Sequence, residues 1–282
     1  DGSLVAVGRA WSAPTAAARS SRARRPRGRP ASGRVALRWI IRNQIADRVR
    51  PAWFGLRNIT VRPASDPLLE EIRLRGGELQ ARYRDPAEAL PAFTPARRMY
   101  HALGLDPSKT RPSSEALVRR ILQGKGLYRV NSAVDAANLA SITIFRSIGL
   151  YDADWIRPES PGEGPVNGPS PPVVRAGLPG AVGNGPGTPA GVVILRLGRT
   201  GEEYAGIGKE TVHLGGRPAL FDLVGPFGNP SSDSDRTKVT LETRRLLFVL
   251  FEPSDEAPEA IEKRLAACRQ IMLRHVGGEL ED

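Results

Sequence analysis

A stretch rich in proline and glycine divides this chain of 282 residues into two parts with different patterns. It covers Pro158–Ala190, where 9 prolines and 8 glycines occupy 33 positions without apolar periodicity. Such a composition interrupts helices and sheets and cannot bury a core, so we expect a flexible insertion there. Helical patterns precede the insertion and strand patterns follow it. This order predicts an α+β architecture.

Helix starts and stops are clear before the insertion. Proline follows a polar residue at Asp66 and at Thr94, which is typical of a first helical turn. Gly124 is placed to end a helix in the left-handed conformation. The sequence therefore predicts a short strand in Pro51–Val61 and helices at Asp66–Arg75, from Thr94 to Gly104, from Ser113 to Gly124, and at Ser132–Ser147.

Strand patterns dominate after the insertion, with tight glycine-rich turns between them. The predicted strands are Gly191–Leu197, Glu203–Ile207, Pro218–Val224 and a long one at Lys238–Glu252. A last helix is predicted at Ala257–His275, with a buried stripe formed by Ile261, Leu265, Cys268 and Met272.

Positive charge is concentrated at the start of the chain. Residues 1–50 contain 12 arginines and 2 acids, whereas the remaining residues are close to neutral. Arginine outnumbers lysine 36 to 5, as a GC-rich genome would produce, so composition argues only weakly for RNA binding. The segment 16–34 fits a basic arm, a transit-type peptide or a stretch without structure. We expect residues 1–50 to be disordered and residues 51–282 to form the folded domain.

Several classes of protein and site are disfavoured by the sequence. The longest apolar run is far shorter than the roughly 18 residues that span a bilayer, so no membrane association is expected. A single cysteine, Cys268, excludes internal disulfides and fits a reducing compartment, which favours the cytoplasm. The three histidines are isolated, and neither a nucleophile elbow nor a phosphate loop is present. We therefore predict no metal or cofactor and assign no catalytic residue.

Polar residues gather in three places. Lys109 and Arg111 precede a helix start and either hold an anion or form a solvated turn. Asp135, Asn138 and Ser141 share one side of an apolar helix, where they line a pocket or make hydrogen bonds within the core. The loop from Gly225 to Thr237 is mobile filler or a ligand site, and it leads to Glu242, a solvated carboxylate by default.

These residues and their order resemble the free-standing B3/B4 family, similar to the tRNA-editing domain of the phenylalanyl-tRNA synthetase β subunit. The matching segments are Leu103–Pro107, Lys109–Leu117, Arg119-Arg120, Gly124, Asn131, Val134-Asp135, Asn138, Tyr151-Asp152, Gly201-Glu202, Asp222, Gly225, Asp233-Ser234 and Arg236-Thr237. The resemblance covers about residues 51–282. One departure is that the synthetase motif His-Ala-Phe-Asp corresponds here to Gly149-Leu150-Tyr151-Asp152.

The resemblance implies a central, mostly antiparallel sheet flanked by helices and an editing module that binds tRNA or aminoacyl-tRNA. It also implies a substrate site between the helix, the loop and the following strand, where Glu242 contacts the amino-acid side chain. We assign substrate binding to Asp135, Asn138, Ser141, Gly225, Asp233, Ser234, Thr237 and Glu242, and RNA binding to Lys109, Arg111, Arg119 and Arg120.

Three hypotheses follow from this resemblance. The first is an aminoacyl-tRNA deacylase that hydrolyses mischarged tRNA in trans by orienting water and stabilising the oxyanion. The second is a non-catalytic module that binds RNA or an amino acid after losing the histidine of the site. The third is a protein partner of an aminoacyl-tRNA synthetase that uses Lys109–Arg120 as its contact surface.

Overall fold

The computed structural model describes residues 37–160, 190–208 and 210–281. The helices are α1 (Asp66–Arg82), α2 (Thr94–Ala102), α3 (Ser113–Leu122), α4 (Ser132–Ile144) and α5 (Pro258–Val276). The strands are β1 (Arg38–Asn43), β2 (Val49–Arg57), β3 (Ser147–Asp152), β4 (Ala190–Leu197), β5 (Glu203–Tyr204), β6 (Val212–His213), β7 (Pro218–Phe221), β8 (Pro226–Asn229), β9 (Ser232–Asp233), β10 (Leu246–Pro253) and β11 (Glu279–Glu281).

The strands form three open sheets. A five-stranded sheet has the order β1-β4-β7-β8-β9, a four-stranded sheet has the order β11-β2-β10-β3, and β5 pairs with β6. Neighbouring strands are antiparallel except for β1 and β4, which run parallel. The helices pack against the sheets, so the predicted α+β class and mostly antiparallel pairing are confirmed.

Strand β10 lies at the centre of the molecule, and every one of its residues is buried. Leu246, Phe248 and Leu250 face a core shared with α1, α3, α4 and α5. The alternate residues Leu247 and Val249 face a second core, which lies against the five-stranded sheet and α2. Because successive side chains of a strand point to opposite faces, one apolar run joins both cores.

Local signals in the sequence located the helices well. Proline lies in the first turn of α1 and α2, as predicted, and also in the first turn of α5. Gly124 has a φ of +74° just after α3, which is the predicted left-handed end. The predicted stripe of α5 is buried, including Cys268, where burial raises the thiol pKa to about 12. Helix α1 continues to Arg82, seven residues beyond its predicted end.

The predicted long strand Lys238–Glu252 is wrong in its first half. Leu241 and Glu242 form a turn, and β10 begins only at Leu246. The turn is held by Thr243, whose Oγ1 accepts a hydrogen bond from the Thr240 N–H and lies 2.7 Å from the Asp152 carboxylate. The alternation of polar and apolar residues therefore predicted a strand at a place where a side-chain hydrogen bond stabilises a turn.

Ordered structure starts ahead of the predicted boundary at residue 51. Strand β1 and the start of β2 lie within the segment expected to be disordered, and Trp39 and Ile41 are buried in the second core. For residues 38–50 the expectation of disorder is therefore corrected. The rest of that segment, residues 1–36, lies outside the described residues.

Most of the predicted insertion, residues 161–189, also lies outside the described residues. Backbone hydrogen bonds hold its two ends together. The Glu159 N–H donates to the Val192 carbonyl at 2.8 Å, and the Val192 N–H donates to the Glu159 carbonyl at 2.9 Å. Within the described ranges, no helix combines the length and apolar character that a bilayer span requires.

Candidate nucleic-acid interface

The loop between α2 and α3 is fixed by its own hydrogen bonds. The Asp106 carboxylate accepts from both the N–H and the hydroxyl of Ser108, at 2.8 and 2.6 Å. These hydrogen bonds lower the pKa of Asp106. The Asp106 carbonyl accepts from the amides of Lys109 and Thr110. The loop thus presents the side chain of Lys109 from an ordered backbone.

A cavity of about 320 Å³ lies beside this loop. It contains three cationic side chains, of Lys109, Arg111 and Arg217, which approach it from two distant parts of the sequence. The lining residues are Leu105, Lys109, Thr110, Arg111, Val212, Arg217, Pro218, Asn229, Pro230, Ser231 and Ser232. We call it the first cavity. The fold thereby joins the α2–α3 loop to the start of β7 and the β8–β9 turn.

The β8–β9 turn forms an ordered wall of the first cavity. The Asn229 side-chain oxygen accepts from the amides of Ser231 and Ser232, at 2.8 and 2.9 Å. The Tyr100 hydroxyl, on α2, donates to the Pro230 carbonyl at 3.0 Å. Burial raises the pKa of Tyr100 to about 12, so this hydroxyl remains a donor at neutral pH.

A second cavity of about 300 Å³ follows along α3. Arg111 lines both cavities, so they share a wall. The second cavity is lined by Arg111, Ala116, Leu117, Arg119, Arg120, Gln123, Lys125 and Tyr128. The guanidinium carbon of Arg120 lies 3.9 Å from the centroid of the Tyr128 ring. We call the six cations of the two cavities (Lys109, Arg111, Arg119, Arg120, Lys125 and Arg217) the basic face.

The shared wall is anchored by a buried carboxylate. Glu115, in the first turn of α3, is 1% exposed and lies 3.3 Å from Arg111 Nε. It also lies 2.9 Å from Arg97 of α2. A buried carboxylate is tolerated when it is paired and hydrogen-bonded. Glu115 therefore holds α2, α3 and Arg111 together.

The other five cations of the basic face make no ion pair within the described part of the chain, although Lys109 interacts electrostatically with Asp106. Among the described residues, no carboxylate oxygen lies within 4.0 Å of Lys109, Arg119, Arg120, Lys125 or Arg217. Many arginines elsewhere are paired with acids, as in Arg73–Glu70, Arg146–Glu252 and Arg196–Glu202. Other described arginines, such as Arg38, Arg62 and Arg82, have no carboxylate within 4.0 Å among the described residues. Six cations thus lie together along the two cavities, although the chain beyond residue 50 is close to neutral overall.

The basic face lies in a region of the chain that matches a known protein family. The family model described as B3/4 domain matches residues 95–257. The chain belongs to the B3/4 domain family. No curated protein matches it. At a coarse level, membership in the B3/4 family supports a tRNA-binding or editing-associated module and association with nucleic acid or a synthetase in general. The matched region contains both cavities.

The polar side of α4 makes local hydrogen bonds. Both Asp135 oxygens accept from the Val130 N–H, at 3.0 and 3.3 Å, and burial raises the pKa of Asp135. The Ser141 hydroxyl donates to the Arg146 carbonyl at 2.8 Å. Asn138 is half-buried. For Asp135 and Ser141, this confirms the alternative in which they make hydrogen bonds within the core. Neither residue lines the first or the second cavity.

The loop from Gly225 to Thr237 is an ordered part of the fold. Arg236 makes two hydrogen bonds to the buried Asp222 carboxylate, at 2.9 and 3.0 Å. The Gly225 N–H donates to the same carboxylate, and the Thr237 hydroxyl donates to the Phe227 carbonyl. Ser234 caps the short turn after it by accepting from the Arg236 N–H. These contacts disfavour the interpretation of the loop as mobile filler.

Asp233 lies between the two large sheets. Its Oδ2 accepts from the Leu150 N–H on β3 at 3.4 Å. Burial raises the pKa of Asp233 to about 7, against the opposing effect of hydrogen bonds from Tyr151 and Leu150. Tyr151 is fully buried, and its own pKa is raised well above 10 by burial and by Asp233. This tyrosine was missed by sequence reasoning, and its place in the resemblance to the synthetase motif was the only signal for it.

Glu242 is exposed in the turn that precedes β10 and lines neither cavity. Its contact with an amino-acid side chain stays a prediction. By contrast, all four residues predicted to bind RNA lie on the basic face. Sequence reasoning did not identify Lys125, Tyr128 and Arg217, because the first two have no local motif and the third comes from a distant turn.

Proposed function

We propose that this B3/4 protein binds tRNA through the basic face, with the single-stranded 3′ end in the first cavity. The observation that carries the proposal is the continuity of the two cavities through Arg111, with cations along both. Side chains that neutralise phosphates release condensed counterions, and this term supplies most of the affinity for nucleic acids.

The dimensions of the first cavity support this assignment. A volume of about 320 Å³ is near the lower end of the roughly 300–1,000 Å³ of small-molecule pockets. It suits one terminal nucleotide or an amino acid and excludes a duplex. Lys109 and Arg217 both line the cavity, where they would neutralise phosphate or carboxylate oxygens.

The test is the salt dependence of tRNA binding to the full chain and to two variants. Lys109→Ala and Arg217→Ala each remove one cation of the basic face, so each should weaken binding and lower the slope of log K against log salt by about one. Lys263→Ala removes an exposed lysine from α5 and serves as the control. Absence of tRNA binding by the wild-type protein, or slopes equal to that of the control, would contradict the proposal.

Hydrolysis of mischarged aminoacyl-tRNA in trans is the second candidate function. It is favoured by the polar side chains of Thr110, Ser231 and Ser232 in the same cavity as the cations. Hydrogen-bond donors and cations around an ester stabilise the oxyanion that forms when water attacks its carbonyl. No side chain is assigned as a nucleophile.

A panel of mischarged tRNAs separates the two functions. Ester loss faster than in buffer, and slowed by Arg217→Ala at saturating protein, supports hydrolysis. Binding of the charged tRNAs without faster ester loss leaves the non-catalytic module. In that outcome, the suggested partner is an aminoacyl-tRNA synthetase that receives or supplies the bound tRNA.

A further inference from the structure

Tyr128 is an exposed aromatic ring in the middle of a cationic surface. Its exposure is 59%, and its neighbour Val130 is 58% exposed. One face of the ring is covered by the Arg120 guanidinium. With one face covered and most of the side chain accessible, the ring offers its other face and edge to a ligand.

The segment that carries Tyr128 is held on both sides. Leu127 packs against the larger core. The Val130 N–H is bonded to the Asp135 carboxylate of α4. Just before the segment, the Lys125 N–H donates to the Arg120 carbonyl at 3.0 Å. The ring is therefore presented by an ordered backbone, which lowers the entropy lost on binding.

Cations surround the ring on the side of the second cavity. Arg119 and Lys125 line that cavity together with Tyr128, and neither has a carboxylate within ion-pair distance among the described residues. Arg111 continues this series into the first cavity. An aromatic platform beside a track of cations is the arrangement that binds single-stranded nucleic acids, because bases stack while phosphates are neutralised.

We propose that an unpaired nucleobase stacks on the open face of Tyr128 while its flanking phosphates contact Arg119 and Lys125. This inference rests on the proposed tRNA binding and adds a second subsite to it. A base inside a duplex cannot use the platform, because both of its faces are already stacked. Arg120 is a positioning residue that holds the ring, and Asp135 positions the segment.

The test compares tRNA binding by Tyr128→Ala and Tyr128→Phe at constant salt. Stacking is worth about 1–3 kcal/mol per base, so Tyr128→Ala should weaken binding by about fivefold to 150-fold. Tyr128→Phe keeps the ring and should bind like the wild-type protein. Tyr83→Ala is a comparison variant, because Tyr83 also lies under an arginine, Arg82, but lines neither cavity. Tyr83 packs against the larger core, so the comparison is made on folded protein at a temperature well below its unfolding midpoint.

Salt dependence distinguishes stacking from charge. Tyr128→Ala should leave the slope of log K against log salt unchanged, whereas Arg119→Ala should lower it by about one. Near-ultraviolet circular dichroism and the unfolding midpoint of each variant show that the fold is retained. A tRNA without its single-stranded 3′ end identifies the source of the base. The effect of Tyr128→Ala disappears if the 3′ end supplies the base and persists if a tRNA loop does.

Two results would overturn the inference while leaving the proposed function intact. One is wild-type affinity of Tyr128→Ala for tRNA. The other is a loss of polyglutamate binding by Tyr128→Ala as large as its loss of tRNA binding, because polyglutamate carries negative charge but no bases. Failure of the wild-type protein to bind tRNA refutes the proposed function itself, so the two failures are distinguishable.

Discussion

The hydroxyl of Tyr151 lies where a side chain on Gly149 would begin. A Cβ at position 149 would overlap the hydroxyl and the end of the tyrosine ring, and a Cβ at Gly228 would overlap the same ring. The ring therefore occupies the space between two glycines on facing strands. The histidine of the related synthetase motif has no room here unless Tyr151 moves, which explains physically why glycine stands at this position.

Gly149→Ala should destabilise the protein by about 1–3 kcal/mol, because an added methyl group in a packed core forces Tyr151 or a strand to shift. Chemical denaturation gives the free energy of unfolding. Gly77→Ala is the control, since nothing lies within 4 Å of a Cβ there, and replacing glycine within α1 should stabilise by about 0.5–1 kcal/mol. Equal effects of the two substitutions would show that the space at Gly149 is not restrictive.

Asp233 should make stability fall as pH rises from about 4 to about 7. The folded state retains the Asp233 proton up to a pKa of about 7, whereas the unfolded chain releases it near 4. Stability decreases with pH wherever the folded state binds more protons, and above pH 7 the loss is complete. The pH dependence of the unfolding free energy should therefore be smaller in Asp233→Asn.

The difference between wild type and Asp233→Asn cancels the titration of other groups. Asp255→Asn makes the same chemical change at an exposed aspartate and is measured alongside it. A profile of Asp233→Asn that runs parallel to the wild type between pH 4 and 8 would disprove a raised pKa.

Glu252→Gln should cost about 3–5 kcal/mol of folding free energy. Glu252 is fully buried and accepts hydrogen bonds from Arg146 at 2.7 Å and from Arg264 at 2.6 Å. Removing its charge leaves two arginines without their main partner in a buried network. Glu70→Gln breaks an exposed pair with Arg73, which solvent screens, and should barely change stability. Similar unfolding midpoints for the two variants would contradict this expectation.

Two truncations at the start of the chain should differ sharply. Deletion of residues 1–50 removes β1, including buried Trp39, whose indole N–H donates to Glu281 of β11. It should therefore abolish or severely weaken folding. Deletion of residues 1–36 keeps β1 and should leave the unfolding midpoint near that of the full chain. Comparable midpoints for both truncations would show that β1 is dispensable.

The parts of this fold that follow from local chemistry could be predicted. Proline in the first helical turn, Gly124 after α3 and the apolar stripe of α5 each depend on residues within a few positions. The cations Lys109, Arg111, Arg119 and Arg120 could be identified because they cluster around one helix. Such signals are present in the sequence before any tertiary contact forms.

The remaining features depend on contacts between distant segments. Arg217 lies about 100 residues from Lys109 in the chain, and only the pairing of β7 with β4 and β8 brings it to the first cavity. The role of Asp135 depends on the path of residues 127–130, which no periodicity specifies. Glu242 was wrongly placed on a strand, because Thr243 stabilises a turn within a segment whose polar and apolar residues alternate as in a strand.

Strands β1 and β2 each pair with strands far along the sequence, and this determines the order in which a nascent chain can complete its sheets. Strand β1 pairs with β4, and β2 pairs with β10 and β11, all of which are synthesised much later. Among the described strands, β1 and β2 are therefore synthesised first but paired late, and their apolar residues stay exposed until their partners are made. Contacts so distant in sequence slow folding and expose strand edges to aggregation. In cells, the yield of this protein should therefore depend on how well chaperones protect its first strands until translation reaches residue 281.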